Sequence, residues 1–138
     1  MTWDDVAERI TGTPPAHLAT ASADGHPHVA LVAPVVDGAA LAFFTGTSSA
    51  KAADLRANPS VALVFEGHGA ETYVWGTAEV IADVDAKREL WARPLPYDPA
   101  SFFGAPERDE VVLVRVTPTR ATVMGQGPDG PGRYTWTA

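Results

Sequence analysis

The stretch VVDGAALAFFTGTSSAKAADLRANPSVALVF, residues 35–65, contains most of the signals that decide the fold. Asp37-Gly38 between two apolar runs is a strong hairpin signal, and the returning strand is predicted over 40–45. A short helix follows over 49–57 and ends at Asn58-Pro59, because proline disfavours α geometry in the residue before it. Residues 61–65 then predict another strand, so the stretch reads as hairpin, helix and strand.

The flanking segments extend this pattern in both directions. Thr2 is the predicted N-cap of a first helix, and Asp83 or Asp85 begins a later one. Strands are predicted over 17–21, 29–36, 72–81, 111–116 and 121–124. The run over 29–36 is apolar enough for a strand buried on both faces, with Pro34 marking an edge or a bulge. Gly76 is a predicted bulge; residues 94–106 and the Gly/Pro-rich tail are predicted loops.

About seven sequential strands and two or three short helices predict a mainly β protein. Such a pattern favours a closed antiparallel barrel over a doubly wound sheet. The 138 residues contain no repeat and no linker, so one domain over 1–138 is expected.

Composition excludes several classes of function. The net charge of −7 argues against a nucleic-acid-binding surface, and the absence of cysteine removes disulfides, thiolate nucleophiles and thiolate metal ligands. No apolar run approaches the roughly 20 residues that span a bilayer, and the acidic, amphipathic start is unlike a signal peptide. A cytoplasmic protein without a membrane or nucleic-acid partner is expected.

The turn before the predicted helix carries the clearest chemistry. Its hydroxyl groups and the single lysine lie at a helix N-terminus, where free N–H groups and the helix dipole favour a phosphate. The residues concerned are Thr45, Thr47, Ser48, Ser49 and Lys51. The alternative is a solvated lysine beside ordinary N-cap hydroxyls. The GxxxxGK[ST] pattern of a P-loop is absent.

Histidines and aromatics give weaker signals. His26 and His28 form an HPH motif beside a turn, but no third ligand stands at a useful spacing, so surface histidines are favoured over a metal site. The aromatic residues can stack on a planar ring or fill the core. Trp136 should be frayed near its chain end unless it docks somewhere, and a ligand or a neighbouring subunit is a candidate docking site.

The chain resembles the pyridoxamine 5′-phosphate oxidase-like superfamily of split β-barrel flavin-binding proteins. The resemblance covers residues 15–123 and is carried by LATASADGHPHVALV, by the 35–65 stretch and by YVWGTAEVI. The later segment FFGAPERDEVVLVRVTP is similar to the small bacterial general-stress flavoproteins of this group. The resemblance implies an antiparallel split β-barrel of six to seven strands and a homodimer with cofactor sites at the subunit interface.

The resemblance also assigns roles to individual residues. Lys51 matches the lysine that binds the cofactor phosphate, Ser49 the hydroxyl two residues before it, and Thr45 the threonine that closes the strand. Glu71 and Trp75 match positions that approach the cofactor ring. The strand that lies along the ring and the ribityl chain matches Val29, Ala30, Leu31 and Val32.

Two departures from the family pattern bear on the cofactor. The oxidases have arginines where this chain has Ala50 and Val29, and each lost charge-assisted contact costs about 1.5–3 kcal/mol. The resemblance implies FMN, with the deazaflavin coenzyme F-420 as the alternative. The function expected is that of a flavin-type oxidoreductase. No side chain is an obvious acid or base, and Tyr73, His28 and Glu71 are the candidates for that role. The competing hypothesis is a non-catalytic flavin- or haem-binding protein, with an axial histidine from His17, His26, His28 or His68.

Overall fold

A computed structural model describes all residues from 1 to 138 and consists of eight strands and four short helices. The helices are α1 (Trp3–Ile10), α2 (Ala50–Ala57), α3 (Val84–Trp91) and α4 (Pro99–Phe103). The strands are β1 (Ala16–Ala21), β2 (Pro27–Val32), β3 (Val35–Asp37), β4 (Ala40–Gly46), β5 (Ser60–Gly67), β6 (Ala70–Ile81), β7 (Val111–Gly127) and β8 (Gly130–Thr137). The predicted mainly β, antiparallel class is confirmed.

One antiparallel sheet contains all eight strands in the order β2-β1-β5-β6-β7-β4-β3, with β8 also paired to β7. Strand β7 is long enough to pair with three strands, because its first part faces β4 and its last part faces β8 while β6 runs along the other edge. The sheet is not closed: β2 and β3 end it. The structure is therefore the split form of the barrel and not the fully closed one.

Helix α1 begins at a complete capping box. The Thr2 hydroxyl accepts from the Asp5 backbone N–H, and the Asp5 carboxylate accepts from the Thr2 backbone N–H. The hydrogen bonds that the carboxylate accepts from the Thr2 backbone N–H and from the Thr2 hydroxyl hold the pKa of Asp5 below its ordinary value. The apolar positions Val6 and Ile10 are buried in the main core between the helix and the sheet. The predicted N-cap at Thr2 is thus confirmed.

Three predicted boundaries are wrong. The run over 29–36 is divided into β2 and β3 around Pro34, which has no N–H to donate to a ladder. The strands predicted over 111–116 and 121–124 form one strand, β7, which continues through the buried Pro118. The tail predicted as a loop is β8, because Tyr134 and Trp136 pair with Val123 and Ala121.

The predicted bulge at Gly76 is confirmed by a register shift between Trp75 and Gly76 against β7. A side-chain Cβ on Gly76 would meet the Thr117 backbone and the Val116 side chain, so glycine permits the two strands to approach at this point. Within the predicted 94–106 loop, Asp98 caps the short helix α4.

None of the four helices has both the length and the apolar character that crossing a bilayer requires.

Candidate functional site

The polar turn after β4 connects a core strand to the start of α2. Thr45 is almost fully buried at the end of β4, and its Oγ1 lies 3.2 Å from Oγ of Ser49. Ser49 is the N-cap of α2, since its side chain accepts from the Ala52 N–H at 3.1 Å. The two hydroxyls therefore hold the first turn of the helix in a defined position relative to the core.

Lys51 stands in this first turn without a partner. None of the six ion pairs in the chain includes it. The backbone N–H groups of Ala50 and Lys51 lie at the helix N-terminus, where no intrahelical acceptor exists. A cation and two free donors beside paired hydroxyls form an arrangement that can accept an anion.

The other hydroxyls of the turn have different roles. Thr47 donates its N–H to the Glu110 carbonyl at 2.8 Å and accepts from the Arg56 guanidinium at both its carbonyl and its Oγ1. Ser48 is exposed beside it. No motif in the sequence marks Arg56, which lies in the last turn of α2 and fixes the turn before the helix.

A second polar cluster connects α2 with β1 and β2. The Asp54 carboxylate accepts from the Thr20 hydroxyl at 2.8 Å, and the same oxygen lies 3.8 Å from Nδ1 of His28. Thr20 and His28 are directly opposite each other in the β1–β2 ladder. His28 is exposed, as expected for a surface histidine, but the expectation that it lies in a turn is wrong: it lies in β2 and faces an acid on the helix. No sequence motif marked Asp54.

The predicted cofactor strand presents its residues on two faces. In β2, Ala30 and Val32 face the interior with Leu18 and Ala16, their partners in the ladder. Val29 and Leu31 face outward and are 61% and 64% exposed, so the expectation of a strand buried on both faces is wrong for this chain alone.

This outward face continues as a largely apolar surface across four strands. Ladder partners point to the same side, which places Val29 and Leu31 in rows with residues of β1, β5 and β6. The rows are Val29, Ala19, Ala62 and Trp75, and Leu31, His17, Val64 and Tyr73. We call these eight residues the outer face.

Trp75 borders a shallow groove in the outer face. The groove has a volume of about 300 Å³, and its walls include the small side chains of Ala19, Ala21 and Ala62. Asn58, at the end of α2, also lines it. The Arg120 guanidinium lies 4.1 Å from the Trp75 ring centroid, a cation–π contact that orients the indole. The groove therefore joins Trp75 to the C-terminal end of α2.

Glu71 lies at the other end of β6. It accepts a hydrogen bond from the Tyr73 hydroxyl. This bond, with partial desolvation and the negative charges of Glu71 and Glu66, raises the pKa of Tyr73 above its ordinary value. Glu71 also lines a second hollow with Glu66, Gly69, Ala70 and Met124. It thus borders a hollow distinct from the Trp75 groove.

Trp136 is docked within its own chain. Its ring centroid lies 5.2 Å from that of Trp3, and both indoles pack against the main core. Trp3 in turn donates from its ring nitrogen to the Gly38 carbonyl at 2.9 Å. Trp136 is therefore docked, as the expectation required of an ordered tryptophan near a chain end, and strand β8 and Trp3 hold it. A role of Trp136 toward a cofactor stays a prediction.

Comparison with known proteins identifies the family. The family model described as pyridoxamine 5′-phosphate oxidase matches residues 2–125. The chain belongs to the pyridoxamine 5′-phosphate oxidase family. A relative in this family, the pyridoxine/pyridoxamine 5′-phosphate oxidase of Kineococcus radiotolerans, is 35% identical over 79 residues, which are 56% of this chain. The match spans only 35% of that relative's length.

Solved structures agree with this family membership. General stress protein 26 from Bacillus anthracis superimposes with a TM-score of 0.75 at 21% identity, covering 96% of this chain and 97% of that one. At this identity the likeness shows the fold alone. A protein described as an F420 reductase superimposes with a TM-score of 0.63 at 26% identity, covering 83% of this chain and 93% of its own.

Proposed function

We propose that this chain is an oxidoreductase that binds a flavin-type cofactor by its phosphate at the N-terminus of α2. The observation that carries the proposal is the unpaired Lys51 beside the Thr45–Ser49 hydroxyl pair. The family match supports it, because the matched residues include the whole of this turn. FMN is the cofactor proposed first.

The residues present fit a phosphate group. Lys51 supplies a charge, the N–H groups of Ala50 and Lys51 supply donors, and Ser49 supplies a hydroxyl. The neighbouring Arg56 is already engaged by Thr47. One free cation in place of several argues for weaker retention of FMN than in relatives with arginines.

The deazaflavin coenzyme F-420 is the second candidate. It is favoured by the likeness to an F420 reductase and by the absence of the two arginines at Ala50 and Val29. Both coenzymes carry a phosphate, so the α2 site serves either. Any preference of the protein for one coenzyme must come from contacts to the ring and the tail of the coenzyme, and not from Lys51.

We further propose that two copies of the chain associate through the outer face and that the cofactor lies at the interface. Val29 and Leu31 expose large apolar side chains there, and contiguous exposed apolar surface marks an interaction site. Val29 adjoins His28, which contacts α2, so an interface on this face borders the phosphate site. A dimer of this kind would cover both the strand β2 and the Trp75 groove.

The hydride chemistry would be supplied by the bound cofactor. The chain's own part is to hold the phosphate at α2, exclude water with the apolar residues of the outer face, and offer a proton-bearing group. Tyr73, Glu71 and His28 stay the candidates for that group. A non-catalytic cofactor-binding protein is the competing function, motivated by the missing arginines.

Binding and turnover measured together test the proposal. Purified protein should be titrated with FMN, riboflavin and F-420, since riboflavin is FMN without its phosphate and serves as the matched control ligand. We expect FMN or F-420 to bind with Kd below about 1 mM and riboflavin to bind more weakly. Sustained reduction of an acceptor with NAD(P)H or reduced F-420 would rule out the non-catalytic function. If neither coenzyme binds in this range, the proposal fails.

A further inference from the structure

Asp54 brings His28 close to the helix that carries Lys51. Asp54 stands three residues after Lys51 in α2, so their side chains leave adjacent positions on one side of the helix. Asp54 lies 3.8 Å from Nδ1 of His28 and accepts from Thr20. The Asp54 side chain is only 15% exposed, whereas that of His28 is 45% exposed. The carboxylate is thus held in place, and the imidazole has an open side.

The alternation of β2 decides which residue faces α2. Successive strand residues point to opposite sides, and Val29 is on the outer face with 61% exposure. His28 is therefore the residue of this strand that offers nitrogen donors toward the helix. Nδ1 faces Asp54, and Nε2 makes no hydrogen bond within the chain, so it remains available to a ligand.

We propose that His28, oriented by Asp54, is the second cationic group of the phosphate site and donates from Nε2 to a phosphate oxygen. This inference rests on the proposed function, because the phosphate is that of the cofactor. His28 would then replace the arginine that the oxidases have at the position of Val29. It is the preceding residue of the strand, and its side chain lies on the opposite side of the sheet from that of Val29. Asp54 is a positioning residue that holds Nδ1 of the imidazole toward α2.

A histidine in this position makes binding depend on pH. The groups on the elements packed against it are Asp54 from α2, with Lys51 in the same helix, and the uncharged Thr20 from β1; His26 and Asp24 lie in the preceding turn. A phosphate dianion that accepts a hydrogen bond from Nε2 would favour the charged form of the His28 imidazole. Binding would then take up a proton, and affinity would rise as pH falls toward 7, where the phosphate is still mostly dianionic.

The test combines nuclear magnetic resonance with cofactor titrations. Imidazole nitrogen shifts of the wild-type protein report the protonation of each histidine with and without inorganic phosphate. FMN, F-420 and riboflavin affinities are measured from about pH 8.5 to pH 7 for the wild type and for His28→Gln, Asp54→Asn and His26→Gln. His26→Gln is the matched control, because it removes an exposed histidine two residues away that has no acidic partner.

We expect phosphate to protonate His28 and to leave His26 unchanged. Affinity for FMN, whose phosphate is a monoester and can be a dianion, should rise about 5-fold over this pH range in the wild type and in His26→Gln, and stay flat in His28→Gln. Asp54→Asn should lower the ratio of FMN affinity to riboflavin affinity, a readout that a merely structural role would not move.

Two results would overturn the inference: a His28 that does not respond to saturating phosphate, or an unchanged pH profile in His28→Gln. The nuclear magnetic resonance arm uses the wild type, so it does not depend on the folding of a variant. If phosphate protonates His28 while neither coenzyme binds, His28 is a phosphate contact but the proposed cofactor function falls. If FMN binds without any response of His28, the proposed cofactor function stands and the role of His28 falls.

Discussion

The Oγ atoms of Thr45 and Ser49 lie 3.2 Å apart, one at the buried end of β4 and the other at the N-cap of α2. This contact joins the sheet to the helix at the point where the backbone N–H groups of the first turn are free. Because Thr45 is only 3% exposed, the position of the helix start is determined by the core. A preorganised donor set of this kind does not have to be ordered when an anion binds.

Replacing the one free cation of this turn should weaken coenzyme binding strongly. Lys51→Ala removes the only charge in the first turn of α2, and we expect affinity for FMN or F-420 to fall about 10- to 150-fold. Fluorescence titration measures this loss directly. Riboflavin affinity should change little, because riboflavin has no phosphate.

A matched control for this variant is Arg88→Ala on α3. Arg88 makes only exposed ion pairs, with Asp85 and Glu107, so its loss changes the net charge equally without touching the turn. Retained FMN affinity in Lys51→Ala would mean that the cofactor phosphate does not bind at Lys51.

The outer face makes a prediction about assembly. Leu31→Glu places a charge on a residue that is 64% exposed in the single chain. We expect the variant to be a monomer by light scattering. Its thermal unfolding midpoint should be close to that of the wild type at a dilution where the dimer dissociates. Phe102→Glu is the control, because Phe102 is 72% exposed but lies on α4, outside the outer face. A dimer in Leu31→Glu would refute this interface.

Gly76 makes a prediction about stability. A Cβ at this buried position would lie 3.0 Å from Cγ1 of Val116 and from the Thr117 carbonyl carbon. Since the backbone of β7 is held on both edges, Gly76→Ala should destabilise the protein by about 2–4 kcal/mol. Chemical denaturation measures the difference.

Gly46→Ala is the comparison for that experiment. Gly46 is also in a strand, and the nearest atom to its added Cβ is the Glu110 carbonyl oxygen at 3.9 Å. Gly46→Ala should lower the free energy of unfolding much less than Gly76→Ala does. Equal losses for the two variants would show that crowding at the bulge is not the cause.

The Glu71–Tyr73 pair predicts a titration shift. The carboxylate accepts the tyrosine proton in a hydrogen bond and repels the phenolate, so both effects raise the pKa of Tyr73. Glu71→Gln removes the negative charge and should lower this pKa toward its ordinary value near 10. Tyr73 would then lose its proton at a lower pH as the solution is made alkaline.

Resonances of the tyrosine ring separate this titration from that of Tyr97, whose pKa is raised by burial. Tyr97 should be unaffected by Glu71→Gln. An unshifted Tyr73 would indicate that the hydrogen bond does not form in solution.

Local signals predicted the elements around residues 35–65 well. Asp37-Gly38 and Asn58-Pro59 act through their own backbone geometry, and the observed hairpin and helix end follow them closely. The capping hydroxyl of Ser49 is equally local. These features depend on residues near each other in the chain, which is why the sequence alone could reveal them.

Long-range contacts could not be predicted in the same way. Trp136 is held by Trp3, at the other end of the chain, and His28 meets Asp54 across 26 positions. Likewise, β8 exists because β7 extends past β4 and offers it a free edge. No periodicity within the tail indicates that partner, so its glycines and prolines resemble a loop.

The triple pairing of β7 has a consequence for the order in which the fold is made. During synthesis, β4 has only the three-residue β3 as a partner until β7 leaves the ribosome. The edge that β4 offers to β7 therefore stays unpaired while residues 47–110 are made, and that of β6 while residues 82–110 are made. Sequence changes in β7 are expected to reduce the yield of folded protein in the cell more than they reduce the equilibrium stability of molecules that have already folded.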